Sequence, residues 1–298
     1  MKKVIILSFS LLAAGLFAGY LFLFSSAQVM GASVLSEEEV SSLLADKVCF
    51  SPETDAGLWL NGVEIPYETE EKRYYIPRNM EEDHWKGQIC ASADGMPASV
   101  IWEADEAFDN IKDAVAAGHV FACIIYNETG YQKVSVLFTG IPVMCIDGDM
   151  GETDSRVRVF DPVKSLQGNY QTEESRIYYN IRGNASKRFE KIGYRLELLQ
   201  EDGEAGRKTS LLGMRIDNDW QLKAMYSDRS KLRDKLSIDL WNQIAERTET
   251  KADAGCRMEY LELIINGSYQ GLYGLVEPTD YKSLSLNKEK DLIYKAAS

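Results

Sequence analysis

The sequence has little histidine and no paired cysteines. His84 and His119 are its only histidines, and none of its five cysteines stands in a Cys-x-x-Cys pair. A metal site built from several histidines is therefore excluded, and nothing supports a zinc ribbon or a thioredoxin-like redox motif. No Gly-x-Ser-x-Gly elbow is present to work with either histidine. We expect both histidines to be structural or surface residues.

The chain also lacks an excess of positive charge. It has 33 Lys and Arg against 46 Asp and Glu, a formal net charge of −13 over 298 residues. This balance argues against nucleic acid as the main partner. Neither a Walker P-loop nor the glycine-rich loop of ordinary protein kinases occurs in the sequence.

One long apolar run is present, at the N-terminus. Lys2 and Lys3 precede an uncharged, apolar stretch at residues 4–24. A positive start followed by such a run is typical of a secretory signal, and this one is long enough to span a bilayer. We expect residues 1–35 to be a membrane anchor, a transmembrane helix that places the rest of the chain outside the cytoplasm. A cleaved signal peptide is the alternative, because small residues follow at 25–27 and 31–33.

Export would allow disulfides. Four of the five cysteines precede residue 150, so one or two bridges could form there, and buried thiols are the alternative. These four are Cys49, Cys90, Cys123 and Cys145.

Residues 36–154 show mostly strand signals. Asn61-Gly62 between apolar runs is a hairpin signature, and residues 106–117 have the spacing of an amphipathic helix. We expect Trp59, Trp85 and Trp102 to be core residues. The acidic turn at 147–154 lacks the spacing of a calcium loop and is interpreted as a linker, with a metal site as the lesser alternative.

A long helix is expected near residues 228–247, where Leu232, Leu236, Leu240 and Ile244 recur every fourth residue as a buried stripe. Before it, residues 191–199 alternate between an apolar face and a face carrying Lys191 and Arg195. Basic residues outnumber acidic ones between 182 and 235, although the whole chain is acidic. That segment could hold an anion such as phosphate, and solvated surface charges are the alternative.

Several short motifs follow one another in the second half of the chain. They are Arg182-Gly183-Asn184-x-Ser186, Lys191-x-x-Tyr194-Arg195-Leu196-x-Leu198, Asn218-Asp219-Trp220, Leu232-Arg233-x-Lys235 and Asn266-Gly267-x-Tyr269-x-Gly271-Leu272-Tyr273. In this order they resemble the CotH kinase family, named after a bacterial spore-coat protein kinase. The resemblance covers roughly residues 155–298.

The resemblance implies a kinase that transfers phosphate from ATP to Ser residues of secreted, coat or envelope proteins, with Mg²⁺ or Mn²⁺. Lys191 matches the lysine of the family's Lys-Lys-x-Tyr-Arg strand and is expected on the phosphates. Arg182, Asn184 and Arg195 are further nucleotide-binding candidates. Glu277 ends the hairpin strand, where it could meet adenine or ribose or pair with Lys191.

The catalytic and metal-binding aspartates of the family lie downstream of this hairpin. They are therefore expected beyond Ser298, and the chain is interpreted as the ATP-binding portion of an incomplete domain. Asp217, Asp219 and Asp228 are interpreted as structural, helix-capping or turn residues, with metal ligation as the lesser alternative.

Together these signals predict an α+β chain. Its parts are a signal or anchor helix (1–35), a small mostly-β domain for which an immunoglobulin-like fold is one option (36–154), and an incomplete, atypical protein-kinase-like α+β domain (155–298). The predicted location is the cell envelope or the extracellular space. A catalytically inactive surface or envelope protein, structural or adhesive, is the alternative function.

Overall fold

A computed structural model describes residues 33–51, 53–60, 62–77, 89–103, 111–162, 171–247 and 255–294. The predicted anchor at 4–24, together with His84 and Trp85, lies outside these residues. Within the described ranges, no helix combines the length and the apolar character that a membrane crossing requires.

The α+β prediction is wrong, because the structure is mostly β. Strands account for 46 % of it and helices for 15 %. The segments with two-residue alternation pair into sheets, and the described residues contain only three α-helices, the longest of 15 residues. The helical period near residues 228–247 corresponds to a single helix beside many strands. Neither a kinase-like α+β domain nor an N-terminal helix is supported.

The elements are named in chain order. The first part of the chain contains β1 (Ser33–Leu35), α1 (Glu37–Leu44), β2 (Val48–Cys49), β3 (Ala56–Leu60), β4 (Val63–Glu64), β5 (Tyr67–Glu68), β6 (Arg73–Pro77), β7 (Ile89–Ala93), β8 (Met96–Glu103), α2 (Ile111–Ala117), β9 (Val120–Tyr126) and β10 (Gly130–Thr139). The second part contains β11 (Val143–Asp147), β12 (Ser155–Phe160), β13 (Gln171–Arg182), a 3₁₀ turn (Ala185–Arg188), β14 (Gly193–Leu199), β15 (Thr209–Ser210), β16 (Ile216–Asp217), β17 (Asp219–Lys223), α3 (Arg233–Arg247), β18 (Met258–Ile265) and β19 (Ser268–Val276).

Two compact units divide the chain. The first comprises Met1–Ile65 with Met80–Phe138, and the second comprises Pro66–Asn79 with Thr139–Ser298. The acidic turn at 147–154, interpreted from the sequence as a linker, begins at the last residue of β11 and leads to its antiparallel neighbour β12 within the second unit. The domain limits taken from the sequence remain a prediction.

The first unit is a sheet with strand order β4-β3-β7-β8-β9-β10, joined by β1 parallel to β8 and by β2 parallel to β10. Its first helix starts with a capping box, in which Ser36 and Glu39 each bond the other's backbone N–H. Val40 of that helix packs on Ile101 and Ile124 of the sheet, and all three are buried. Consecutive residues are buried in β3, β7 and β9, so these strands do not show a simple alternation of buried and exposed residues.

The second unit is a closed barrel with strand order β11-β12-β13-β14-β17-β19-β18, and β11 closes it by pairing in parallel with β18. Its interior is apolar. Tyr194, Leu196 and Leu198 of β14 point inward, as the alternation predicts, and Trp220 of β17 is fully buried among them. Because the barrel is closed, each strand has a hydrogen-bonded neighbour on both sides, and the positions of the strand ends and of the loops that leave them are set by this pairing.

Helix α3 forms where predicted, but its buried face is not the predicted one. The stripe is exposed: Leu232 by 58 %, Leu236 by 65 %, Leu240 by 53 % and Ile244 by 47 %. The helix instead turns Ile238 towards Met225, Met258 and Val276 of the barrel. The prediction of a buried leucine stripe is therefore wrong.

All five cysteines lie in the described part of the chain, and none of them forms a disulfide there. Cys123 and Cys145 are buried, and Cys49 is exposed. Of the two alternatives left open by the sequence, the structure has thiols rather than bridges.

Candidate functional site

A cleft of about 170 Å³ lies at the end of the barrel where β13 and β17 end and β14 begins. Its lining combines cationic, apolar and aromatic side chains. They are Arg182, Ser186, Phe189, Lys191, Gly193, Leu222, Lys223, Ala224, Met225, Tyr226, Ser227 and Asp234. Arg182 and Lys191, two of the residues predicted to bind nucleotide, therefore share one site.

Lys191 is half-buried and held in place by β19. Its Nζ donates a hydrogen bond of 2.6 Å to the carbonyl oxygen of Leu272 and lies 4.4 Å from the centroid of the Tyr273 ring. Burial lowers the pKa of the Lys191 amine, the charge of Lys231 lowers it further, and the carboxylate of Glu262 acts in the opposite direction. An anion bound near Lys191 would favour the charged form of its amine, because it would offset the positive charge of Lys231.

The turn between β13 and β14 carries the Arg-Gly-Asn motif. Gly183 has a φ of +113°, and a Cβ at this position would collide with the Ser186 side chain. Only glycine allows the chain to leave β13 and enter the 3₁₀ turn so closely. Arg182 stands at the exit, exposed, without an ion pair to any residue that the structure describes. Asn184 precedes the 3₁₀ turn and is exposed as well.

Two aromatic rings lie on the rim of the cleft. Phe189 and Tyr226 stack with centroids 5.1 Å apart and an interplanar angle of 25°. The Tyr226 hydroxyl also donates to Glu190 at 3.3 Å. These contacts join the Arg-Gly-Asn turn to the loop after β17.

Two cations at the site were not predicted. Lys223 forms an ion pair of 3.3 Å with Asp234 of α3, and Lys231 donates from Nζ to the Met225 carbonyl at 2.7 Å. Lys223 could have been found, because it alternates with the buried Trp220 and Leu222 on β17. No sequence signal points to Lys231, whose place depends on a turn with a φ of +58°.

Arg195 and Glu277 lie away from the cleft. Arg195 forms a two-pronged ion pair with Asp219, at 2.9 and 2.8 Å, on the outside of the barrel. Glu277 is buried beside a second cleft of about 700 Å³, where its carboxylate accepts the backbone N–H groups of Arg215 and Arg257, both at 2.8 Å.

The structure does not bring Glu277 to Lys191. Lys191 is bonded at Leu272, and Glu277 follows five residues later, which corresponds to about 17 Å along an extended strand. The carboxylate of Glu277 therefore ties together three chain segments at the opposite end of β19.

The three aspartates interpreted as structural have structural partners. Asp217 is ion-paired with Arg215 and Lys282, Asp219 with Arg195, and Asp228 caps α3 by accepting the Arg233 N–H at 2.9 Å. Among the residues that the structure describes, no group of three or more His, Cys, Asp or Glu side chains could hold a metal ion.

Comparison with known families gives a match in the second part of the chain. Residues 179–297 match the family model described as CotH kinase protein. This region is therefore similar to the CotH kinase family. The resemblance seen in the sequence motifs is confirmed, and the match begins within β13 and includes every residue that lines the cleft. A comparison with curated proteins found no match.

The family name connects the cleft with phosphate transfer. A kinase needs cations that hold the phosphates of its nucleotide. In the region that matches the CotH model, Arg182 and Lys191 come from separate motifs of the sequence and meet at one cleft. The cleft is therefore the candidate nucleotide-phosphate site.

Proposed function

We propose that the protein is an exported CotH kinase that transfers phosphate from ATP to Ser residues of secreted, coat or envelope proteins. The observation that carries the proposal is the cation-lined cleft inside the CotH region, with Lys191 fixed at its wall. In this proposal the described residues supply the phosphate-binding part of the reaction.

The charges in the cleft support an anionic ligand. Burial and, after it, the charge of Lys231 lower the pKa of the Lys191 amine. A phosphate near Lys191 would offset both effects and favour the charged form of the amine. Arg182 adds a planar guanidinium that suits two phosphate oxygens at once, whereas Lys191 acts as a point charge.

The size of the cleft limits what it can hold. Its volume of about 170 Å³ is below the roughly 300–1,000 Å³ of most small-molecule pockets. We therefore assign to it the phosphate end of ATP and not the nucleoside.

The division of labour among the chain's own residues follows. Bound ATP supplies the transferable phosphoryl group. Lys191 would hold a phosphate oxygen and bias the charge of the site, and Arg182 would orient a second phosphate. The stacked Phe189 and Tyr226 would keep the Arg-Gly-Asn turn close to the cleft. These roles lower the cost of bringing ATP into one orientation.

The exported location is the second part of the proposal, and it rests on the apolar run at 4–24 with its two preceding lysines. Cell fractionation with detection of the N-terminus tests it. We expect the protein in the membrane fraction with its bulk accessible to external protease, or outside the cell with the leader removed. Recovery entirely in the cytosol with an intact N-terminus would contradict the proposed location.

Phosphate transfer by the complete gene product is tested with labelled ATP, Mg²⁺ or Mn²⁺ and a pool of exported proteins as acceptors. Lys191→Ala should abolish labelling of Ser, whereas Lys208→Ala should not, because Lys208 is exposed and does not line the cleft. Both variants should melt near the wild-type temperature. Full transfer by Lys191→Ala would remove the proposal, and ATP binding without transfer would favour an inactive envelope protein.

A further inference from the structure

Three consecutive residues of β19 enclose the ammonium group of Lys191. Leu272 provides the carbonyl that accepts its hydrogen bond, and Tyr273 provides the ring beneath it. At Gly271, an added Cβ would lie 3.3 Å from Nζ. Lys191 is 81 residues away in sequence, so this arrangement is produced by the fold.

A bulge in the β18–β19 pair creates the arrangement. The register shifts between Leu263 and Ile264, which pair with Gly271 and Tyr269, so Gln270 is the extra residue. Gly271 has a φ of +83°, which side-chain-bearing residues rarely adopt. Glycine is therefore favoured here by the backbone conformation, and an added Cβ would also crowd Nζ at 3.3 Å.

Tyr273 is anchored independently of Lys191. It is 1 % exposed, and its hydroxyl donates to the Ile192 carbonyl at 2.9 Å, next to Lys191 itself. The ring thus fixes both the backbone beside Lys191 and the position of the ammonium over its face.

The enclosure leaves the amine able to bind. An ammonium has three N–H donors, and the Leu272 carbonyl takes one of them. Two donors remain for an anion. Because the side chain is already ordered, binding would cost little further rotamer entropy.

We propose that Gly271 and Tyr273 are positioning residues, which set the affinity of the cleft for the phosphates of ATP by fixing the ammonium of Lys191. This inference rests on the proposed function, because it assumes that Lys191 contacts phosphate. It assigns a role to the Gly-Leu-Tyr portion of the hairpin motif, which otherwise only continues a strand.

The first test compares two glycine substitutions by calorimetric titration with ATP. Gly271→Ala should weaken binding by about tenfold or more, because the Cβ displaces a charge-assisted contact. Gly151→Ala is the matched control, since its φ is +92° and no atom lies within 4 Å of the added Cβ. Both variants carry a similar backbone cost, so thermal melting should fall similarly while only Gly271→Ala loses affinity.

The second test separates the ring from the hydroxyl. Tyr273→Phe keeps the ring under Lys191 and should retain most of the ATP affinity, whereas Tyr273→Leu removes the ring and should lose it. If Tyr273→Leu does not fold, the comparison of Gly271→Ala with Gly151→Ala decides.

The outcomes distinguish this inference from the proposed function. Unchanged ATP affinity in Lys191→Ala would remove the proposed function itself. Weak binding by Lys191→Ala, together with equal affinities for Gly271→Ala and Gly151→Ala, would overturn the positioning role alone. Loss of affinity in Gly271→Ala and Tyr273→Leu, with Tyr273→Phe retained, supports it.

Discussion

Asp217 is the most informative single position for the stability of the barrel unit. Its side chain has no solvent exposure, and Oδ2 lies 2.8 Å from Nη2 of Arg215. Oδ1 accepts the Asn218 N–H at 2.9 Å and a hydrogen bond from Lys282. Oδ2 has no aligned hydrogen bond, so its contact with Arg215 is mainly electrostatic. We predict that Asp217→Asn, which keeps the size and removes the charge, destabilises the fold.

The size of this loss depends on the partners that Lys282 and Arg215 keep when the charge of Asp217 is removed. Removing one partner of a buried ion pair costs about 3–5 kcal/mol. Lys282 is half-exposed and can return to water, and Arg215 keeps a two-pronged pair with Asp280 at 3.1 and 3.0 Å. We therefore expect the lower end of this range, a loss of about 3 kcal/mol in the free energy of unfolding. This is a large part of the roughly 5–15 kcal/mol by which folded proteins are stable.

The loss of stability in Asp217→Asn should depend on pH. Burial alone would raise the pKa of Asp217, but the hydrogen bonds from Lys282 and Asn218 and the charges of Lys282 and Arg215 hold it below its ordinary value. A lowered pKa means that the unfolded chain binds the proton more tightly. The stabilisation is therefore complete above the ordinary pKa near 3.9 and disappears as the pH falls through the lower, folded-state pKa.

Urea unfolding monitored by tryptophan fluorescence measures the effect at pH 7 and at decreasing pH. Asp154→Asn is the control, because this substitution removes the same charge from an exposed position. It should change the free energy of unfolding by no more than about 0.5 kcal/mol. An Asp217→Asn loss equal to that of the control, or one that stays constant down to pH 3, would refute the reasoning.

Two other predictions concern burial. Leu263→Ala, inside the barrel, should cost about 2–5 kcal/mol in the free energy of unfolding, whereas Leu236→Ala on the exposed face of α3 should cost about 0.5 kcal/mol or less. Equal losses in urea unfolding would show that the helix packs through its leucine stripe after all. Cys49 should react with a thiol reagent in the native protein without prior reduction, and the buried Cys123 and Cys145 only on unfolding. Similar rates for all three, or labelling that requires a reductant, would contradict the structure.

Local patterns in the sequence predicted local structure well. The alternation in β14 gave the correct buried face, and Asn266-Gly267 does connect β18 to β19, with φ values of +49° and +69°. Such features depend on neighbouring residues only. The prediction of the buried face of α3 was wrong because apolar residues repeated at i, i+4 do not show on which side of a helix the partner surface lies.

The site required contacts that are distant in sequence. Lys191 was recognised from its motif, but its partners on β19 depend on a bulge and on the antiparallel path from β14 through β17 to β19. The same strand direction places Glu277 at the other end of the barrel, which no local pattern could indicate. The barrel itself needs β11 to pair with β18, more than 100 residues later.

The most direct test of the central claim is the protection of the Lys191 amine by ATP. Acylation of each lysine is followed by mass spectrometry with no ligand, with ATP and with adenosine. The lowered pKa of Lys191 favours the neutral, reactive form of its amine more than an exposed lysine would. The account predicts that ATP slows modification of Lys191 but not of Lys208, and that adenosine, which has no phosphate, protects neither. Equal modification of Lys191 with and without ATP, or equal protection by adenosine, would contradict it.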